Sequence, residues 1–382
     1  MISAYAFDTH AVIEDIVIDP EQHLLVIVAV SVGVYDVERY VPSKYEIHLL
    51  ALETNALVPH QHPAACRPII SGDQRAWKYL LSLCGDVVAL TYRLTDNTLG
   101  FMLWNWKSGQ CLLTSALLGL AGVSLTSDFV LLSPGLLLLS SIKANIITVV
   151  AYGDMLVDYE RFRRFKVLMH LRLPELVRPL DALEFCTTGV SQFLRGDPLL
   201  TMSRVFGLTM LAKSHWKYRL CLIIDTRMIS VMAAKYELLS RFGPISAPPI
   251  IGWENWGPAY SRLFSLASLS SFPDGTRTVC RVSTNPLKAP FAAQILDFNV
   301  RAQVRKAAGS TARTPFRLVK EPTQLSVPGV FRHTVTTGLP YYTAPVPGSS
   351  PDRYVEFMIA DQRLLCWNQF IEDEGNVDVY IL

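Results

Sequence analysis

Short runs rich in Val, Ile, Leu and aromatic residues, cut by Gly, Pro, Asp and Asn, dominate this chain, and sustained helical periodicity is scarce. The runs come in pairs: 24–30 with 45–52, 85–92 with 101–113, 129–140 with 146–152, 205–212 with 220–229, 276–282 with 294–300, and 357–367 with 377–382. Such pairing predicts repeated antiparallel sheets. A sandwich or closed barrel would strain to place so many hairpins, whereas four-stranded sheets arranged radially leave only short, protected edges. The pattern therefore predicts an all-β, WD-like β-propeller of about six to seven blades, forming one domain over 1–382. The final apolar strand, Val377-Asp-Val-Tyr-Ile-Leu, would be an aggregation-prone edge if left alone. The segment beginning at Ile13 and ending at Pro20 is its expected partner, so that N- and C-terminal strands close the ring. The Pro-rich segments 243–249 and 339–351 read as loops between blades.

One repeat carries a sharper signature. In Phe101-Met-Leu-Trp-Asn-Trp-Lys-Ser-Gly-Gln-Cys-Leu an aromatic strand leaves through a Lys-Ser-Gly turn, as WD-type blades leave through a Trp-Asp dipeptide. Trp104 is expected to fill the gap between blades, beside Trp106, while Asn105 satisfies backbone groups at the turn. The densest aromatic patch is Ile251-Gly-Trp-Glu-Asn-Trp-Gly-Pro-Ala-Tyr260. Trp253 and Trp256, three positions apart, then Gly257-Pro258, form either a cation cage or a packing pin. A cage needs a third aromatic face open to solvent, so the pin is the expected role.

The uncharged stretch between Lys107 and Asp128, followed by the apolar run from Phe129 to Ile142, resembles a membrane span on hydropathy alone. Glycines interrupt the first run and Ser133-Pro-Gly135 breaks the second, which is also too short for a spanning helix. Buried strands joined by turns fit better. Half the residues are apolar and 18% are charged, enough for a large core. The net charge of +2 comes from scattered basic residues, which argues against a nucleic-acid partner. The one basic cluster, Arg161, Arg163, Arg164 and Lys166, alternates with Phe162 and Phe165 and reads as a solvated loop or edge strand. Cys66, Cys84, Cys111, Cys186, Cys221, Cys280 and Cys366 are odd in number and form no C-x-x-C, as expected of buried thiols in a reducing compartment. The N-terminus lacks the basic start and apolar core of a secretory signal. Together these point to the cytoplasm or nucleus.

Candidate chemistry is thin. His60-Gln-His62 near Cys66 places two imidazoles together, but no second cluster supplies the remaining ligands of a zinc site. No Gly-x-Ser-x-Gly elbow or phosphate-cradling loop occurs. Asp86 after Gly85, and Asp274-Gly275, have turn composition. No catalytic residue, metal ligand or cofactor site is therefore assigned. A propeller enzyme of lactonase or glycosidase type is the competing class, and it would need carboxylates, histidines or arginines converging on the central channel.

Several segments taken in order resemble the region that follows the F-box in fungal, mainly mushroom-type, F-box proteins. They are Asp19-Pro-Glu-Gln-His-Leu-Leu-Val-Ile-Val, Tyr45-Glu-Ile-His-Leu-Leu-Ala-Leu-Glu-Thr-Asn, Cys84-Gly-Asp-Val-Val-Ala-Leu and Leu103-Trp-Asn-Trp-Lys-Ser-Gly. Trp253-Glu-Asn-Trp-Gly-Pro-Ala-Tyr-Ser-Arg, Val335-Thr-Thr-Gly-Leu-Pro-Tyr, Met358-Ile-Ala-Asp-Gln-Arg-Leu-Leu and Val377-Asp-Val-Tyr continue the match. The resemblance implies a protein-binding propeller that presents a target to a cullin-type ubiquitin ligase. The F-box itself, which would dock a Skp-type adaptor, has no counterpart in 1–13. Adaptor binding is thus expected only where an F-box lies upstream; otherwise the chain is a family member that has lost the ligase link. Gly338 and Tyr342 stand where the family more often has Ser and a basic residue.

Overall fold

The computed structural model describes residues 11–32, 42–52, 58–62, 70–72, 76–94, 99–120, 127–152, 165–186, 205–212, 219–241, 247–269, 275–282, 292–300, 316–346, 356–360, 363–368 and 376–381. The architecture is all-β, as the run pattern implied. The first sheet holds β1 (Ala11–Asp19), β2 (Leu24–Val32), β3 (Pro42–Ala51) and the short β4 (Val58–Pro59) and β5 (Ile70–Gly72). The second is the meander β6 (Ala76–Cys84), β7 (Val87–Leu94), β8 (Leu99–Asn105) and β9 (Gln110–Thr114), followed by the one-turn α1 (Ser115–Leu120). The third contains β10 (Asp128–Ser133), β11 (Leu136–Ser141), β12 (Ile146–Tyr152) and β13 (Phe165–Arg172).

The fourth sheet is eight-stranded. One half comprises β14 (Ala182–Cys186), β15 (Val205–Leu211), β16 (Arg219–Asp225) and β18 (Ser261–Leu269). Between β16 and β18 the chain inserts α2 (Thr226–Arg241), β17 (Ile250–Ile251) and α3 (Trp253–Tyr260). β17 pairs parallel to β13 and so extends the third sheet. The other half comprises β19 (Arg277–Val282), β20 (Ala292–Asp297), β21 (Arg317–Val319) and β24 (Tyr341–Pro345), with β22 (Thr323–Leu325) and β23 (Val335–Thr337) as a separate ribbon. The last sheet is β25 (Glu356–Ala360), β26 (Arg363–Asn368) and β27 (Asn376–Ile381).

Alternating side chains enter different cores, which explains the apolar runs. In β11, Leu136 and Leu138 join one cluster while Leu137 and Leu139 join another. A strand covered on both faces loses the polar alternation of a half-exposed one. This is why the run from Phe129 looks membrane-like, though it folds as the β10–β11 hairpin, turned at Gly135 with φ 96°. Among the described residues no helix is long and apolar enough to cross a membrane.

The same alternation orders the sheets. One core lies between the first and second sheets, the next between the second and third, and the largest between the third and the β14–β18 half. A fourth joins Cys221, Ile223 and Phe264 to Cys280, Leu296 and Phe298, so the two halves of the eight-stranded sheet pack face to face. A fifth joins the β19–β24 half to the last sheet. The leading strands follow suit: β1 lies against β6, β6 against β10, β10 against β14, and β19 against β25.

Four expectations change. β27 pairs with β26 and β1 with β2, and among the described residues no ladder joins β27 to β1, where 377–382 was expected to pair with 13–20. The β18–β19 ladder is continuous but irregular between Leu266 and Leu269, which merges what the spacing predicts as separate blades. Residues 226–229 begin α2 rather than extending a strand, because the buried Asp225 accepts the Arg227 backbone N–H at the helix start (2.9 Å). Residues 341–345 form β24 rather than a loop.

Candidate functional site

The expected aromatic pin joins the third and fourth sheets. β17 lays 250–251 along β13, the chain turns at Gly252, and α3 carries Trp256 into the largest core, where it is fully buried. Its indole Nε1 donates to the Arg172 carbonyl at the end of β13 (3.0 Å). Trp253 is half-buried and meets Trp256 edge-on, with ring centroids 5.0 Å apart. Gly257 lies under the Trp253 ring, where an added Cβ would overlap it, and its carbonyl accepts the Ser261 hydroxyl (2.6 Å). Pro258 sits inside α3, and a Cβ at Gly338 would come within 3.1 Å of its carbonyl oxygen. Tyr260 is exposed.

The second landmark ties the first two sheets together. Trp104 is buried in their shared core. Asn105 Oδ1 accepts both the Lys107 and Ser108 backbone N–H groups at 3.0 Å, so it does close the turn. Trp106 Nε1 donates to the Gly85 carbonyl (3.3 Å), which also receives Gln22 Nε2 (2.9 Å). Gly85 adopts φ 57° in the β6–β7 turn, a conformation that suits glycine. His60 and His62 stand edge-on to the Trp106 ring at 5.2 and 5.3 Å. His60 Nδ1 accepts the His62 N–H and its Nε2 faces the Gln22 carbonyl (3.1 Å), an arrangement that suits the tautomer with its proton on Nε2. Lys107 pairs with Asp86 (2.6 Å) and lies over the Trp106 ring. These imidazoles clamp a tryptophan, and no group of three His, Cys, Asp or Glu among the described residues could hold a metal.

Of the basic cluster, only Lys166 lies among the described residues, on β13; Cys66 and Asp274 lie outside them. Cys84, Cys221, Cys280 and Cys366 are buried in the sheets, and burial pushes the Cys366 thiol up to about 12.

The residues the sequence did not single out are two aspartates on leading strands. Asp15 Oδ1 accepts the Ile16 N–H (2.9 Å) and Oδ2 the Leu81 N–H on β6 (2.7 Å). Asp128 repeats this: Oδ1 accepts the Phe129 N–H (2.9 Å) and Oδ2 the Phe185 N–H on β14 (2.7 Å). Each carboxylate thus clips its own strand to the leading strand of the next sheet. Ser140 adds a hydroxyl bond to the Leu183 carbonyl (3.1 Å). Desolvation raises the Asp128 carboxyl to about 7, Glu184 pushes the same way, and the two N–H donors and Arg93 oppose it. Arg93 of the second sheet reaches Glu184 of the fourth at 3.5 Å. Arg93, Asp128 and Glu184 therefore converge from three successive sheets. Their register signal in the sequence is faint, since a lone Asp at a strand start reads as an ordinary turn residue.

One further pair has the look of chemistry. Thr148 Oγ1 lies 2.9 Å from His170 Nδ1, but the two are directly opposed in the β12–β13 ladder, and burial lowers the His170 pKa. Arg262 is buried on β18, donating to the Thr337 and Glu321 carbonyls (3.2 and 2.9 Å) with its guanidinium 5.0 Å from the Tyr341 ring. It fastens 320–341 to the fourth sheet.

The class that fold and site define is an all-β protein of successive antiparallel sheets. No family model matches the chain, and no curated protein matches it. Among solved structures it is similar to the complex of the fission yeast SREBP–SCAP binding domains, at 7% identity over 74% of this chain and 67% of that one, with a TM-score of 0.36. It is also similar to the N-terminal domain of Nup159, at 9% identity over 93% and 86%, with a TM-score of 0.29. Likeness at this level carries no argument about function.

Proposed function

We propose that this chain is a non-catalytic, WD-like propeller that binds a protein target, comparable to the substrate-recruiting region of a fungal F-box protein. The carrying observation is that several polar side chains among the described residues join sheets: Asp15 and Asp128 clip leading strands, and His60 and His62 clamp Trp106. A succession of face-packed sheets supports the propeller reading, because each blade of a propeller is buried on both faces. The target would dock on an end surface, in the cytoplasm or nucleus, with no nucleic acid, membrane, metal or cofactor involved. A Skp-type adaptor joins only where an upstream F-box is encoded.

The enzyme reading, a lactonase or glycosidase, draws on one observation, the convergence of Arg93, Asp128 and Glu184. Two assays separate the readings. The chain is immobilised and challenged with lysate proteins and, separately, with purified Skp-type adaptor. It is also assayed against a lactone and aryl-glycoside panel beside Asp128→Asn. Saturable capture of a defined protein, with no adaptor binding, is expected. Turnover that Asp128→Asn abolishes would overturn the scaffold reading, and a decayed family member would capture nothing and unfold without cooperativity.

A further inference from the structure

β16 and β18 pair antiparallel, a connection that a short hairpin turn would make, yet the chain leaves β16 to build α2 before it returns. The inner face of this helix is committed. Met228, Ile229 and Ala233 enter the largest core, Met232 and Tyr236 pack against it, and the helix lies on β13. At 3.6 residues per turn the opposite face carries Val231, Ala234, Lys235, Leu238 and Leu239, and all five are exposed. The outer face of a surface helix is ordinarily polar. Here Val231, Leu238 and Leu239 are exposed by 68, 54 and 47%, which makes that face aliphatic. Lys235 stands in the middle of it, one turn from Val231 and one turn from Leu239. It meets no carboxylate among the described residues. Glu237, the only acid of α2, falls outside the stripe, and Arg227 at the N-terminal end is held by Asp225.

We infer that the outer face of α2 docks an acidic amphipathic helix of a partner protein, whose aliphatic stripe covers Val231, Leu238 and Leu239 and whose carboxylate meets Lys235. This rests on the protein-binding reading and names the surface and the kind of partner. Spacing selects a helix: apolar side chains one and two turns apart on one face form the ridge against which a second helix packs. Charge selects its sign. A cation inside an aliphatic patch loses water when the patch is covered, and that loss is unfavourable unless the covering surface brings a carboxylate. Lys235 also sets aside two other occupants. A second copy packed antiparallel about a two-fold axis would lay Val231 on Leu238 and bring the two copies of Lys235 together beside the axis, like charge against like. A lipid surface would be met by an aliphatic face ringed with cations, and the described residues of this face offer one unpaired cation.

The test uses the full chain and two fluorescein-labelled synthetic helices of three heptads. Both have Leu at the a and d positions; one carries Glu and the other Lys at the flanking e and g positions. By fluorescence anisotropy the parent is expected to bind the Glu helix at least about tenfold tighter than the Lys helix. Val231→Ser with Leu238→Ser should abolish binding of both, and Lys235→Glu should reverse the preference. Because these side chains are exposed, the variants should melt with the parent; if Lys235→Glu melts early, Lys235→Gln should still erase the preference. Failure of either helix to bind, equal binding of the two, or binding that survives the double Ser variant would overturn the inference. So would a parent dimer on a sizing column that Leu238→Ser dissolves, or capture on phosphatidylcholine–phosphatidylserine vesicles that Leu238→Ser abolishes. A double Ser variant that still captures the lysate target would overturn this surface while leaving target binding intact. Selective helix binding with failed lysate capture would support the surface and count against the capture reading alone.

Discussion

Replacing Trp256 by Ala removes the most deeply buried side chain of the segment that joins the third and fourth sheets. The indole is fully buried in the largest core, and its N–H meets the Arg172 carbonyl at 3.0 Å. Large aromatic-to-alanine changes in cores cost about 3–5 kcal/mol. Of that, the hydrogen bond and the acceptor left behind account for about 1–2 kcal/mol, which Trp256→Phe isolates by keeping most of the apolar contact. An unfolding entropy of about 2.1 cal/mol/K per residue gives roughly 0.8 kcal/mol/K if all 382 residues melt together. The expected fall in Tm is therefore about 4–6 °C for Trp256→Ala and about 1–3 °C for Trp256→Phe. Circular dichroism melts read both directly. The half-exposed Trp253 should cost less than Trp256 on truncation to Ala. A Trp256→Ala protein that melts within about 1 °C of the parent but no longer captures its target would show that this tryptophan belongs to a binding surface, and the pin reading would be wrong.

Three further outcomes follow from the same contacts. Gly257→Ala should destabilise the parent, because the new Cβ overlaps the Trp253 ring, yet stabilise the Trp253→Ala background by about 0.5–1 kcal/mol through helix propensity; equal effects in both backgrounds on chemical denaturation would refute the contact. Asp128 holds its proton up to about pH 7 when folded but releases it near 3.8 when unfolded, so stability should fall as pH rises from about 4 to 7 and level off above. The swing is at most about 4 kcal/mol, and urea titrations across that range should find the slope flattened in Asp128→Asn. Arg262→Lys keeps the charge but cannot reach the Thr337 and Glu321 carbonyls together, so it should cost about 1–2 kcal/mol and speed hydrogen exchange in 320–341; unchanged exchange would count against the fastening role.

The hairpins were legible because their turns carry chemistry that local sequence can show. Gly85, Gly109 and Gly135 all adopt positive φ, and Asn105 closes its turn with two backbone bonds. The helix α2 was missed because only Asp225-Thr-Arg227 separates Leu-Cys-Leu-Ile-Ile from Met-Ile-Ser-Val-Met, and short apolar runs of this kind read equally as strand. Its signal was present: a capping carboxylate at Asp225, then Ile229 and Ala233 four residues apart, both in the core. The β18–β19 join could not be seen, because strand pairing across a turn is the same local event within a blade and between blades. Only the face-to-face core of Cys221, Ile223 and Phe264 with Cys280 and Leu296 separates the halves.

What joins the sheets is the part that periodicity cannot carry. Asp15 and Asp128 lie 113 positions apart, in dissimilar surroundings (Ile-Glu-Asp-Ile-Val and Thr-Ser-Asp-Phe-Val), yet each accepts its own i+1 N–H and one N–H from the next leading strand. A backbone donor on a leading strand's open edge needs an acceptor once it is withdrawn from water, and a carboxylate on the preceding strand supplies it without a ladder. The geometry fixes the step from one sheet to the next at two places. Trp256 performs the same task by apolar means, reaching from α3 to the Arg172 carbonyl of the third sheet. Each of these residues spans the gap between two sheets. Among the described residues, Asp15, Asp128 and Trp256 are each engaged in holding one sheet against the next.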